Sequence, residues 1–491
     1  MKRGRFILFC LFSFSFFVTA GLTLFNAFGY RFNLERGIFI YTGSVTVKST
    51  PETVDIRING ELVPQKRLGI INNSIHIDGL APGEHFLEIS APGYVPWSKK
   101  IVIHSGLSTE FWNVLLVKKY DVPEVLPQTA FATRIFQALE KGLFAVAKNK
   151  EGVFSVDVID VNERLTDETV FSLENASLFR GNEENIEWDP ESEKLIIPAE
   201  QENRRLYFVV KKNDKTSFLL NDLVPNDEIK NPRWDPVFKN FLLYQAGDQL
   251  YRIDTEATQK NPFLVRENIQ TYDISGKNIY YLQKENGIVY KIPVDANNQT
   301  TPIQITLTPI DSPEKPYSLV VYDDTRLSLR EKVSGALFMF NKSSLQSAPL
   351  RKVTEKNVRG VQFSDDGKKL LFFTDNEISV YFTRLWDVQP IREPDTVIQI
   401  ARFSSLLSNI QWTRDYEHVF FSTDKTIKII EIDSRDRRNI VDIITTPSSL
   451  LQVLSRFEED ALYFITDQKN NGNAVARLFL SGPPIDFFSL R

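Results

Sequence analysis

Apolar residues along this chain fall into three regimes. Residues 6–28 form one unbroken run without a charged side chain. From Val45 to Val117 apolar and polar residues alternate in short stretches: Val45 and Val47, then Val54, Ile56 and Ile58, Ile75 to Ile77, Phe86 to Ile89, Ile101 to His104 and Phe111 to Val117. A period of two is that of a strand with one face in a core and the other in water. Asn59-Gly60, Pro82-Gly83 and Pro92-Gly93 supply turns between these strands, which predicts a small β-sandwich over residues 43–117. Further on the pattern changes. Short, wholly apolar runs appear, such as LLFF at 370–373, FLLY at 241–244 and IYYL at 279–282. Alternating runs such as Leu250-Tyr251-Arg252-Ile253 and Ile427-Lys428-Ile429-Ile430 are interleaved with them. A strand buried on both faces next to a half-buried one fits this order.

The third regime is periodic. The stretch VQFSDDGKKLLFF, Val361 to Phe373, is a strand, a tight turn and a second strand, with Phe363-Ser364 followed by an apolar opening at Leu370. The same spacing joins Trp188-Asp189 to Leu195, Trp234-Asp235 to Phe241, Tyr272-Asp273 to Ile279 and Trp412-Thr413 to Val419. Looser copies join Phe136 to Leu143 and Leu454 to Ala461, and Tyr322-Asp323 reaches Leu327 by a shorter turn. The eight aromatic or apolar positions are separated by 52, 46, 38, 50, 41, 49 and 42 residues. Such a period, with several short strands per repeat, is the signature of a β-propeller. We expect about eight blades over residues 131–491, or seven if residues 131–161 are a linker sheet. Residues 118–130 are a linker, and either Val122 to Leu126 or Ile485 to Leu490 is expected to close the ring. The aromatic of each repeat is expected to pack between blades. The Asp, Ser or Thr after it is expected to accept hydrogen bonds from turn amides. The polar connection to the next repeat is expected to hold the outermost strand.

The N-terminal apolar run follows the basic residues MKRGR and spans 23 residues from Phe6 to Phe28. At about 1.5 Å per residue it reaches roughly 34 Å as a helix, enough to cross a bilayer core. The basic flank before it predicts a cytoplasmic N-terminus, with residues 29–491 extracytoplasmic and residues 29–42 as a juxtamembrane linker. The competing reading is a signal peptide cleaved after Ala20, since Val18-Thr19-Ala20 has the small-residue pattern of a cleavage site. Hydrophobicity continuing through Leu22, Leu24, Phe25 and Phe28 favours the retained anchor.

Composition supports an all-β exported protein. Phe is abundant at 37, with 6 Trp and 16 Tyr, and Met is down to 2. The formal net charge is −5, and residues 1–28 hold three bases and no acid. The rest therefore carries 55 basic against 63 acidic side chains, a net of −8. That balance argues against nucleic acid, which needs a clustered basic face. The single cysteine, Cys10, lies in the apolar run, so the remainder forms no disulfide of its own and relies on core burial. A cysteine-free exported portion suits a bacterial envelope protein.

The residues GLAPGEHFLEISAPGYVPW, Gly79 to Trp97, resemble the PEGA domain, and the preceding STPETVDIRING, Ser49 to Gly60, resembles its first hairpin. Glu52-Thr53-Val54 departs from the small residues that the family usually has there. The resemblance implies a small β module of prokaryotic surface proteins and brings no catalytic residues with it. The segment VQFSDDGKKLLFF resembles the TolB-type and WD-type propeller repeat, with Asp365 where that turn usually has Pro. It implies architecture only, because propellers host unrelated functions.

Candidate chemistry is sparse. Of the four histidines, His76, His85 and His104 lie in the PEGA-like module without metal-ligand spacing, and His418 lies in the propeller. Asp365-Asp366-Gly367 and the loop DQKNNGN at 467–473 have acidic and amide oxygens but lack the alternation and later Glu of a calcium loop. No nucleophile elbow or P-loop is present. We therefore nominate no catalytic, cofactor-binding or metal residues. The expected function is that of a non-enzymatic, membrane-anchored binding or scaffolding protein, which meets an envelope protein or polysaccharide through its propeller. The alternative is an envelope-assembly factor that holds exported clients. A glycan-active enzyme with carboxylates at the channel mouth ranks third. Oligomeric state is not legible.

Overall fold

A computed structural model gives the fold of residues 2–33, 37–64, 66–68, 73–119, 122–138, 142–161, 166–179, 186–223, 228–342, 349–355, 357–446, 450, 452–456, 461–468 and 472–480. Helix α1 runs Lys2–Ala27, and its segment Gly4–Ala27 is long and apolar enough to cross a membrane. The stretch read as a juxtamembrane linker carries a hairpin: β1 (Tyr30–Asn33) pairs antiparallel with β2 (Ile38–Tyr41).

Eight strands follow in the PEGA-like module: β3 (Gly43–Thr50), β4 (Asp55–Ile58), β5 (Glu61–Leu62), β6 (Lys66–Leu68), β7 (Ser74–Leu80), β8 (Gly83–Ser90), β9 (Trp97–Ile103) and β10 (Ser108–Leu115). They form two four-stranded sheets, ordered β10-β3-β7-β6 and β5-β4-β8-β9. The alternation seen in the sequence becomes alternation in burial. Val45, Val47, Ile56, Ile75, Leu87, Ile89, Trp97 and Ile101 are buried in one core between the sheets. The Asn59-Gly60 turn is made with both residues left-handed, at φ 52° and 87°, as the tight two-residue hairpin requires. β10 pairs parallel with β3, whereas every other pairing among the described residues is antiparallel.

From residue 132 onward the described residues make seven successive sheets and an eighth that closes the ring. They cover residues 132–174, 176–219, 229–266, 269–304, 317–354, 360–402, 407–445 and 453–479. In six of the first seven the strands lie in simple chain order, so each is an antiparallel meander. The second also takes in the two-residue strand Glu187–Trp188. Residues 131–161, the alternative linker sheet, form with 166–174 a sheet of the same order as the others. Ring closure falls to the first of the two expected segments. β11 (Glu124–Leu126) pairs antiparallel with Gly472–Phe479 as the outer strand of the last sheet, and Ile485 to Leu490 lies outside the described residues. Gln452 adds a latch across the same seam, accepting from the Ile135 amide at 2.7 Å and donating to the Ile135 carbonyl at 2.9 Å.

Apolar clusters fill the spaces between successive sheets, and one containing Ala132, Ile135, Phe144, Tyr463 and Val475 joins the first to the last. Most of the repeat aromatics sit in these seams as expected, and the three tryptophans among them also bond backwards. Trp188 Nε1 donates to the Phe136 carbonyl at 3.3 Å, Trp234 Nε1 to Glu187 at 3.1 Å and Trp412 Nε1 to Gln362 at 3.1 Å. Each indole thus packs one seam and ties it to the preceding sheet. The residues after the aromatics mostly hold the turns. Asp189 Oδ1 accepts from the Glu193 and Lys194 amides, Asp235 Oδ1 from Val237 and Phe238, and Ser364 Oγ from Lys369. Thr413 departs from this pattern. Its hydroxyl donates to the His418 carbonyl, and Asp415 takes the Glu417 and His418 amides instead.

Candidate functional site

The most elaborate polar chemistry in the molecule lies where the PEGA-like module meets the seventh sheet. β9 begins at Trp97, and its alternation turns Trp97, Lys99 and Ile101 to the buried side. For Lys99 that side is the propeller. Its ammonium is fully buried and meets four oxygens: Glu431 Oε1 at 2.6 Å and the carbonyls of Asp433, Arg435 and Arg437 at 3.2, 2.9 and 2.9 Å. A buried charge is tolerable only when paired and hydrogen-bonded in this way. Trp97 Nε1 donates to the other oxygen of Glu431 at 2.9 Å. Around this centre the Lys100 amide donates to Asp436, Asn439 donates to the Ser98 carbonyl, and Gln389 bridges the Glu110 amide and Ser108 carbonyl. Arg435 donates to the Glu110 carbonyl and lies 3.9 Å from the centre of the Phe111 ring.

Glu431 is also the cross-strand partner of His418, which extends the cluster into the seventh sheet. His418 Nδ1 is 2.8 Å from Asp415 Oδ2. Burial works against the imidazolium, yet Asp415, with Glu431 and Glu417 behind it, holds His418 above its ordinary value. Burial likewise works against the Asp415 carboxylate, and His418 and the turn donors overcome it, leaving Asp415 well below the usual carboxylate range. Glu417 goes the other way: burial outweighs its bond from Lys369 and raises it. Lys369 is itself fully buried, 3.8 Å from the centre of the Trp386 ring.

Beside this cluster lies a cavity of about 490 Å³ between the module and the seventh and eighth sheets. Pro51, Tyr94 and Leu116 wall it on the module side, and Phe420 and Ile429 on the propeller side. Its polar end is Arg414 and Asp415. An apolar hollow with a few convergent charges is the usual form of a binding site, and this one is sized for one or two large side chains or a short apolar ligand. His418 lies behind Asp415 and bonds inward, so the pair braces the cavity wall.

The residues singled out in the sequence are scattered. His76 Nδ1 bonds Thr46, and His85 bonds Asn59 and the Ala81 carbonyl. Asp366 caps its own turn, accepting from Ser364 Oγ and the Lys368 amide. The loop 467–473 lies partly outside the described residues. Among the described residues no group of three His, Cys, Asp or Glu side chains is placed to hold a metal ion. Acids on the innermost strands are engaged with cations. Arg233 bridges Glu187 at 3.0 Å and Asp273 at 3.1 Å across three successive sheets, and Asp273 accepts the Val321 amide of a fourth. Burial raises Glu187 in spite of Arg233. Lys99, Trp97 and Glu431 were missed by sequence reasoning. The one signal was Lys99, a charge on the buried phase of an otherwise apolar alternation.

Residues 42–116 match the PEGA domain model. Solved structures with a similar course include the Dos1 propeller, with a TM-score of 0.49 and 12% identity over 72% of this chain and 93% of that one. Sqt1 of Saccharomyces cerevisiae has a TM-score of 0.45 and 10% identity over 73% and 98%. The Cps50 (Swd1) β-propeller domain of Myceliophteria thermophila has a TM-score of 0.39 and 9% identity over 72% and 99%. The chain thus joins a PEGA domain and a propeller to an N-terminal apolar helix.

Proposed function

We propose that this protein is a single-pass membrane scaffold. α1 is retained as the anchor with its N-terminus cytoplasmic, and residues beyond 29 stand outside the membrane as one rigid body that binds an envelope protein or polysaccharide. The reading is non-enzymatic. The observation that carries it is the buried junction at Lys99. A flexible tether would need no such network, whereas fixing a propeller at a set attitude above a membrane does. The junction cavity beside Arg414 is the first candidate for ligand contact.

The test is crosslinking on intact cells followed by capture of the full chain in detergent, with protein and polysaccharide fractions analysed separately. Specific proteins that are lost from an Arg414→Glu variant support a scaffold contacting partners at the junction. Polysaccharide retention makes it a glycan-binding anchor. Capture of neither in any fraction overturns the proposal, and turnover of envelope glycan by the purified chain overturns its non-enzymatic part.

A further inference from the structure

The hairpin β1–β2 has an unusual surface for a protein in water. Its cross-strand pairs place Tyr30 opposite Tyr41 and Phe32 opposite Phe39 on one face. The rings touch, with centroids 5.0 Å apart in the first pair and 5.2 Å in the second. Phe25, in the last turns of α1, lies 5.4 Å from both Tyr30 and Phe39. These rings nevertheless stay open: Tyr30 is 36% exposed, Tyr41 42%, Phe39 44%, Phe25 49% and Phe32 51%. Phe28, in the link, is exposed as well. Contiguous exposed aromatics of this kind mark a surface that something else covers.

Position along the chain says what covers it. The apolar segment Gly4–Ala27 has 24 residues, about 36 Å of helix at 1.5 Å per residue, against a hydrocarbon core of about 30 Å. Its C-terminal end therefore emerges in the headgroup layer, and Phe28 and Gly29 alone separate it from Tyr30. Aromatic rings concentrate in that layer because a flat apolar body with a polar edge suits neither bulk water nor hydrocarbon. The opposite face of the hairpin carries Arg31, which reaches Asp78 of the PEGA-like module at 3.6 Å. The Thr42 amide, just past β2, donates to the Gly29 carbonyl, and the Gly106 amide donates to the Thr42 carbonyl, which fastens the hairpin to the module. The hairpin is thus tied to the folded domain on its Arg31 face and where the Tyr41 ring packs on Gly106, while Phe25, Tyr30, Phe32 and Phe39 are continuous with the membrane segment.

We infer that β1–β2 is an interfacial anchor whose aromatic face lies in the headgroup region of the bilayer that α1 spans, setting the angle at which the PEGA-like module and propeller leave the membrane. The inference rests on the retention of α1 proposed above.

The test uses the full chain in phospholipid nanodiscs, with acyl chains brominated near either the carbonyl end or the methyl end. Phe39→Trp, and separately Phe32→Trp, add one indole to the six native ones, and the unsubstituted chain is the blank. The added emission is expected to be lost in lipid brominated near the carbonyl end and largely kept in lipid brominated near the methyl end. Added emission untouched by either lipid but quenched by aqueous acrylamide means the face meets water, and it overturns the anchor. Protection from both quenchers means a protein surface covers it, and also overturns the anchor. Intact mass of the chain in the disc separates the two levels. Loss of residues 1–20 defeats the retained helix and this inference with it, whereas an intact chain with an unquenched indole defeats the hairpin anchor alone.

Discussion

Two kinds of joint hold this protein together, one repeated around the ring and one made a single time. Between propeller sheets the contact is chiefly apolar and repeated, with ion pairs such as Lys369–Glu417 added at single seams: Leu195, Leu242, Ile279, Leu327, Leu371 and Val419 come from second strands, are fully buried, and pack beside a neighbouring sheet. Between the PEGA-like module and the propeller the contact is made once: a buried ionic centre at Lys99 and Glu431 lies beside an apolar patch where Leu115 and Val117 pack with Phe420 and Ile429. Non-directional burial tolerates variation in which apolar residue fills a seam. A desolvated ion pair does not, because removing either partner strands the other. The repeated joint makes a ring and the single joint fixes an attitude.

The contrast can be broken most severely at Lys99. Lys99→Met leaves Glu431 and three carbonyls buried without their cation, and should cost about 3–5 kcal/mol, read as a lower denaturation midpoint and faster amide exchange over residues 432–439. Lys99→Met with Glu431→Leu should recover most of that loss, since a well-packed apolar pair can replace a buried ion pair. A double variant as unstable as the single one would show that the ionic centre is not the fault line. At a repeated seam, Leu371→Ala should cost about 2–5 kcal/mol in thermal unfolding, while exchange at the module junction stays unchanged. Gln452→Ala removes both latch bonds to Ile135, for which about 1–3 kcal/mol is expected, with exchange rising at Ile135.

The smallest expected effect is a pH dependence. Because His418 is held above its ordinary value, its contribution is complete below about pH 6.5 and is lost as pH rises through its folded value. Asp415 is held low, so its contribution is already present above about pH 4 and fails only as pH falls through its depressed folded value. Raised Glu417 adds a separate loss as pH climbs above about 4.3 towards its folded value. The melting temperature should therefore fall on going from mildly acidic to alkaline buffer, and the fall should shrink in His418→Gln. An equal slope in both proteins would remove His418 from the account.

The ring was legible in the sequence because its physics repeats. An aromatic (Leu454 in the last copy), a polar residue and an apolar strand recur eight times, and Trp188, Trp234 and Trp412 each sit where that grammar puts them. The sandwich was legible from its period-two alternation down to the Asn59-Gly60 turn. The junction was not. Trp97 and Glu431 are 334 residues apart, and no local pattern announces a contact made once at such a distance. The hairpin β1–β2 escaped for another reason. Tyr30-Arg31-Phe32-Asn33 does alternate, but each strand has four residues, too short a run to stand out directly after the long apolar helix.

The ring closure has a consequence in time. β11 is synthesised early, yet its partner strand comes near the end of the chain: Glu124 and Arg477, which form an ion pair across that seam, are 353 residues apart. Until the last repeat is made, β11 is an unpaired edge, and the loop to be closed is almost the whole propeller. Contacts of such sequence separation form slowly, and an unpaired edge invites pairing with another chain meanwhile. A chain lacking residues 472–479 would never satisfy that edge, so the fold carries a sticky strand until that segment has been made.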